Sequence, residues 1–154
     1  MKRTFIAPGL LALSIGISAC SSTPHSATPV GDAQGIVSTT DWSKSETIDV
    51  TLSKFAFTPT DLTLRRQQPY KLHLVNTSSD THTYSSDDLF SAVVVQKVVR
   101  AGIETPGIAK DGVSLGPNEE ADLFLVPVNE GNYRIYCDEF MHDTMGMHGT
   151  VTIK

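Results

Sequence analysis

From Thr47 to Lys154 the apolar residues recur at every second position in short runs broken by turn residues, and no run has the spacing of a long helix. That pattern restricts the fold to sheet packed against sheet. Ile48, Val50 and Leu52 alternate with Thr47, Asp49 and Thr51, and Tyr70, Leu72 and Leu74 alternate with Lys71, His73 and Val75, so each run predicts a half-buried strand. Phe55, Phe57, Leu62 and Leu64 supply core on either side of a turn at Pro59. Residues 93–99 are β-branched except for Gln96 and Lys97, which suits a strand. Residues 123–126 and 133–137 predict two more, joined by a turn at Asn129, Glu130, Gly131 and Asn132. Residues 85–90 predict a short helical turn with Asp87 and Asp88 in its first turn. Residues 101–110, with Gly102, Pro106 and Gly107, predict a loop. The fold expected is an all-β sandwich.

The N-terminal part obeys other rules. Lys2 and Arg3 precede an apolar stretch from Phe5 to Ile17, which ends in Ile17, Ser18, Ala19 and Cys20. This is the pattern of a secretory signal, and Pro8 and Gly9 interrupt it within a length too short to span a bilayer. Cysteine at the processing point resembles the bacterial lipobox. The resemblance implies residues 1–19 as a lipoprotein signal peptide, Cys20 as the lipidated residue with a palmitate-type acyl anchor, and an envelope location facing the periplasm. Ser21, where an aspartate would retain a lipoprotein at the inner membrane, favours the outer membrane. Residues 20–46 are rich in Ser, Thr, Pro and Gly and predict a flexible tether with an end-to-end distance of about 28 Å. Trp42 is expected to pin its end onto a domain of residues 47–154, which is long enough for one core and too short for two.

The residues with the most chemistry lie close to the end of the chain. Cys137, Met141, His142, Met145, Met147 and His148 put a thiol, imidazoles and thioethers on one short segment. A soft thiolate, imidazole nitrogen and a weak thioether together suit a metal that alternates between Cu(I) and Cu(II), whereas zinc sites rarely take methionine. His82, in a polar segment just after an alternating strand, can supply a second imidazole from the same end of a sandwich. His25 in the tether and His73 on a strand read as solvated.

A strand ending in Tyr136 and Cys137, four residues to His142, four more to Met147, the frame Gly146, Met147, His148, Gly149 and a closing strand resemble the cupredoxins. The likeness is nearest to the small bacterial plastocyanin/azurin-like and auracyanin/rusticyanin-like proteins. The upstream His82, Thr83 and Tyr84 resemble the family's His-x-aromatic element. The resemblance implies a Greek-key β-sandwich binding one copper ion. It makes His82, Cys137 and His142 the equatorial ligands and Met147 the axial ligand, with Met145 as the alternative. Asp138 stands where many relatives carry a small hydroxyl residue, which bears on the hydrogen bonding around the thiolate.

With 17 acidic and 12 basic residues, and 17 against 10 once Lys2 and Arg3 are removed, the net charge goes from −5 to −7. Nucleic-acid binding is therefore not expected. Asp138, Glu139 and Asp143 cluster in the ligand segment, which suits a redox or copper-exchange partner with a basic docking face. Two cysteines in an exported chain could form a disulfide, but Cys20 and Cys137 each have another use. A hydrolase with Cys137 as nucleophile and His82 as base would leave the thioethers unexplained. Five histidines cannot furnish a trinuclear copper cluster beside a mononuclear site, and the paired cysteines of a binuclear copper centre are missing. The expected function is a non-enzymatic, membrane-tethered one-electron carrier. The alternative is a periplasmic copper-trafficking or copper-resistance protein on the same fold.

Overall fold

The computed structural model describes residues 29–107 and 112–154. The expected signal peptide of residues 1–19, the expected lipidation site Cys20 and His25 lie outside the described residues. In chain order the elements are α1 (Ala33–Thr39), β1 (Glu46–Ser53), β2 (Ala56–Thr58), β3 (Asp61–Leu64), β4 (Tyr70–Asn76), β5 (His82–Tyr84) and α2 (Leu89–Ala92). Then come β6 (Val93–Arg100), β7 (Ile103–Pro106), β8 (Val113–Leu115), β9 (Glu120–Pro127), β10 (Gly131–Tyr136) and β11 (His148–Ile153).

One layer is a six-stranded sheet in the order β2-β1-β4-β9-β6-β7. The other is β10-β11-β3, to which a bridge between Ser85 and Tyr136 joins the β5-β8 pair. Alternation decides which side chains fill the space between. Along β4, Tyr70, Leu72 and Leu74 are buried while Lys71, His73 and Val75 are half-buried, as period two requires. The parallel pairing of β1 with β4 sets Ile48 beside Leu72 and Val50 beside Leu74, and that of β11 with β3 sets Val151 beside Leu62 and Ile153 beside Leu64. A one-residue slip in either pair would turn its leucines to the opposite face, so burial fixes the register. The resulting cluster includes Leu52, Leu64, Leu123, Leu125, Ile135, Cys137 and Met147, placing two site residues at one end of the core.

Three local expectations need amendment. Residues 103–106 form β7, hairpinned to β6 with Arg100 opposite Ile103. The connection is made by Ala101 and Gly102 at φ of 49° and 78°, the left-handed pair of a tight hairpin turn, and alanine gives no warning of it. The helical turn starts later than expected, at Leu89, with Asp88 before it, and the Ser86 hydroxyl accepts from the Leu89 N–H at 3.1 Å. The turn expected at residues 129–132 is present between β9 and β10 and leads from one layer to the other; the Tyr133 hydroxyl closes it by donating to the Asn129 carbonyl at 3.0 Å. Within the stretch expected to be a tether, α1 is capped by Asp32, whose side chain accepts from the Gly35 N–H at 3.0 Å. α1 packs against β6, and the Trp42 indole N–H donates back to the Val37 carbonyl at 3.1 Å.

Candidate metal centre

The loop leading to His82 is held by a side chain that the alternation of β4 already points to. Asn76 continues the buried phase of Tyr70, Leu72 and Leu74, and a fully buried amide must find partners. Its Nδ2 lies 2.7 Å from the Asp80 carbonyl, 3.1 Å from that of Leu115 and 2.9 Å from that of Gly116. Its Oδ1 accepts from the Ser78 N–H at 3.0 Å. Strand β4, the 77–81 loop and β8 are thereby joined around one amide, and β5 leaves that junction paired to β8 with His82 opposite Leu115. Sequence reasoning passes over Asn76 because the partners that tie it to β8, the Leu115 and Gly116 carbonyls, are distant in the chain.

Cys137 follows β10 directly. The Ser85 and Tyr136 backbones exchange hydrogen bonds of 3.0 and 2.9 Å, fixing the end of β5 beside the cysteine. The ligand segment then closes on itself. The Cys137 N–H donates to the Met147 carbonyl at 3.0 Å, and the Met147 N–H donates to the His142 carbonyl at 3.0 Å. Gly146, at φ 106°, adopts backbone that a side chain would strain, and a Cβ on Gly149 would collide with the Thr60 carbonyl. The first glycine turns the chain and the second admits the backbone of Thr60, just ahead of β3.

His82, Cys137 and His142 converge. The two Nδ1 atoms are 3.2 Å apart, and the Cys137 Sγ lies 3.8 Å from the His82 Nδ1 and 3.4 Å from that of His142. A metal centred in a trigonal plane of two nitrogens and one sulfur, with bonds of roughly 2.0 Å to nitrogen and 2.3 Å to sulfur, needs edges of about 3.5 and 3.7 Å, so the observed triangle fits one first-row ion. His82, Cys137 and Met147 are fully buried, whereas His142 is half-buried and packs edge-on against Phe55, with ring centroids 5.1 Å apart. Met145 is 55% exposed, whereas Met147 is fully buried and its backbone is hydrogen-bonded to Cys137 and His142, so Met147 is the interior methionine of the segment.

Around the sulfur, the Thr83 N–H donates to Cys137 Sγ at 3.3 Å. Asp138 supports this contact: its carboxylate accepts from the Thr83 hydroxyl at 2.6 Å, and its N–H donates to the same hydroxyl oxygen at 2.8 Å. Asp143 forms an ion pair with Arg134 on β10, and its Oδ1 lies 3.1 Å from the His148 Nδ1. The ligand segment is thus tied to β10 and β11, and much of the Asp143 charge is answered locally. His73 is half-buried and pairs across the sheet with Asp122 at 2.7 Å, away from the triangle.

Burial, reinforced by the neighbouring His142 and opposed by Asp80 and Glu139, holds the His82 imidazole below its usual pKa of 6.5. Between the folded value and 6.5 the unfolded chain therefore binds more protons, so the metal-free protein loses stability as pH falls through 6.5 and the loss levels off below the folded value. Urea midpoints of the metal-free protein should decline from pH 7.5 to 5.5, and His82→Asn should flatten part of that slope. Midpoints of wild type and variant that fall in parallel would contradict the assignment to His82.

A sandwich with a thiol and two imidazoles converging at one end defines a mononuclear metal-binding β protein. A family model described as a cupredoxin-like domain matches residues 12–153, and the chain belongs to that family. Among solved structures, a multicopper oxidase from Pseudomonas thermotolerans aligns with a TM-score of 0.58 and 20% identity over 74% of this chain and 31% of its own. Another from Campylobacter jejuni, described as a metallo-oxidase, gives 0.54 and 15% over 71% of this chain and 30% of its own. Dithionite-reduced auracyanin from the photosynthetic bacterium Roseiflexus castenholzii gives 0.50 and 19% over 71% of this chain and 98% of its own. The chain therefore spans under a third of the length of these two oxidases and nearly all of auracyanin; at such identities the likeness shows the fold. No curated protein matches the sequence. Family membership and donor set together make the cofactor a single copper ion, exchanging between Cu(I) and Cu(II).

Proposed function

We propose that this chain is a one-electron carrier of the bacterial cell envelope and not an enzyme, with His82, Cys137 and His142 as equatorial ligands of a type 1 copper and Met147 as its axial ligand. The observation that carries the reading is the triangle of two Nδ1 atoms and one Sγ, with edges of 3.2 to 3.8 Å, together with a fully buried Met147 whose backbone is hydrogen-bonded to Cys137 and His142. Bound copper supplies a one-electron couple. The residues supply the rest. Cys137 and His82, each fixed by a strand, keep their donor atoms in place, which limits rearrangement between oxidation states. Buried His82, Cys137 and Met147 exclude water, while half-buried His142 offers the short path to the surface. Thr83, braced by Asp138, holds a hydrogen bond on the sulfur and so tunes the potential.

Copper transfer to a partner is the second reading, favoured by the half-exposed thioethers of Met141 and Met145 on the ligand segment. The electron self-exchange rate, measured beside the rate at which a chelator removes Cu(I), separates the two. Fast exchange with slow removal supports the electron carrier, and the reverse supports copper delivery. In either case the partner is a redox or copper-exchange protein with a basic docking face that meets Asp138 and Glu139.

The N-terminal pattern of Lys2, Arg3, an apolar stretch and Cys20 supports attachment by a lipid at Cys20, facing the periplasm from the outer membrane. Among the described residues no helix is long and apolar enough to cross a membrane. Cys20→Ala should move the protein from the membrane fraction to the soluble fraction of the envelope. Continued fractionation with membranes would refute Cys20 as the attachment point.

A further inference from the structure

Among the described residues the large apolar side chains that stand out to solvent are Ile103 on β7 and three on the ligand segment, Phe140, Met141 and Met145. The latter three flank His142. Met141 and Met145 are 51% and 55% exposed, and the Met145 N–H donates to the Met141 carbonyl at 3.0 Å and to that of His142 at 3.1 Å, which sets the two residues one turn apart with His142 between them in the chain. Met141 also adopts φ 67°, backbone that glycine or asparagine takes readily and that a long side chain takes only at a cost. Methionine thus stands where it neither fills the core nor suits the backbone. Apolar docking area alone would be served by leucine, so the sulfur is the distinctive property. His148 is engaged with Asp143 and does not belong to this pair.

The geometry points to Met141 and Met145 as a surface capture site for Cu(I), which hands the ion through His142 to Cys137 when the centre is filled. Thioethers are neutral, soft donors that favour Cu(I) over Cu(II) and over hard cations, and a pair of them binds weakly enough to release the ion. Transfer is ligand exchange with no change of oxidation state. Bonds from Cu(I) to the two thioethers break as bonds to the His142 Nδ1 and the Cys137 Sγ form, and the thiol proton of Cys137 leaves to solvent. The inference rests on the copper centre proposed above and adds the route by which it is loaded.

Silver(I), a redox-inert stand-in for Cu(I), tests the capture step on the full-length protein already loaded with Cu(II). One equivalent should bind while the visible band keeps its intensity, shifting the ε-methyl resonances of Met141 and Met145, and Met141→Leu/Met145→Leu should abolish that binding. The metal-free double variant should take up Cu(I) from a donor complex several-fold more slowly than wild type and, once oxidised, show an unaltered band. Met141→Gly should raise the thermal midpoint while losing the silver site. Silver that bleaches the band without moving the two methyls, silver binding that survives the double substitution, or loading at the wild-type rate would each overturn the inference. A colourless Cu(II)-treated wild type would instead overturn the copper centre itself.

Discussion

Cys137→Ser should abolish the visible colour of the copper-loaded protein and lower its copper affinity by more than about 100-fold, the upper end of what is lost when only an outer-shell partner of a ligand is removed. The band arises from charge transfer between a bound thiolate and Cu(II), and a serine hydroxyl is neither soft nor ionised at neutral pH. The fold should survive. Cys137 is buried next to the Thr83 N–H, a donor that the serine oxygen can use, so the cost to stability stays near 1–3 kcal/mol. Absorption spectra with and without copper, taken alongside a denaturation curve, separate loss of the ligand from loss of the fold. A coloured Cys137→Ser protein would contradict the role given to this residue.

Met147→Leu should raise the reduction potential and change the spectrum while copper stays bound. A thioether acting as a main ligand prefers Cu(I), but as a weak extra donor to a site already held by two imidazoles and a thiolate it adds electron density that Cu(II) needs more than Cu(I). Replacing it with an alkyl group therefore weakens Cu(II) more, and each tenfold loss of preference for Cu(II) over Cu(I) raises a one-electron potential by about 59 mV. Met147 is fully buried and close in volume to leucine, so the packing cost should stay under about 1.5 kcal/mol. Met145→Leu should leave both potential and spectrum where they are, because Met145 is at the rim. Protein-film voltammetry of the two variants decides the axial assignment, and the reverse pattern would transfer that role to Met145.

Much of this site is legible in the chain because its chemistry is local. Cys137, His142 and Met147 lie within one loop, and alternation places strands on either side of it; His82 requires only that β5 end at the same pole of the sandwich. What cannot be read depends on contacts far apart in sequence. Asn76 is in phase with the core of β4, but its function as the amide joining β4 to β8 rests on the carbonyls of Leu115 and Gly116. Asp143 reads as part of an acidic cluster until the fold brings Arg134 against it. Asp138 looks like a departure from the family pattern until Thr83 appears as its partner. At the other end of the sheet, β7 escapes notice because Ala101 takes a left-handed conformation usually signalled by glycine or asparagine.

The most direct measurement of the central claim is the visible and electron paramagnetic resonance spectrum of the full-length protein loaded with one equivalent of Cu(II). A triangle of two imidazole nitrogens and one thiolate at the pole of a rigid sandwich predicts an intense thiolate-to-copper band and a reduced copper hyperfine splitting, both caused by unpaired spin shared with the Cys137 sulfur. A colourless protein, or one with only weak ligand-field absorption and an ordinary wide splitting, would show that copper does not sit among His82, Cys137 and His142.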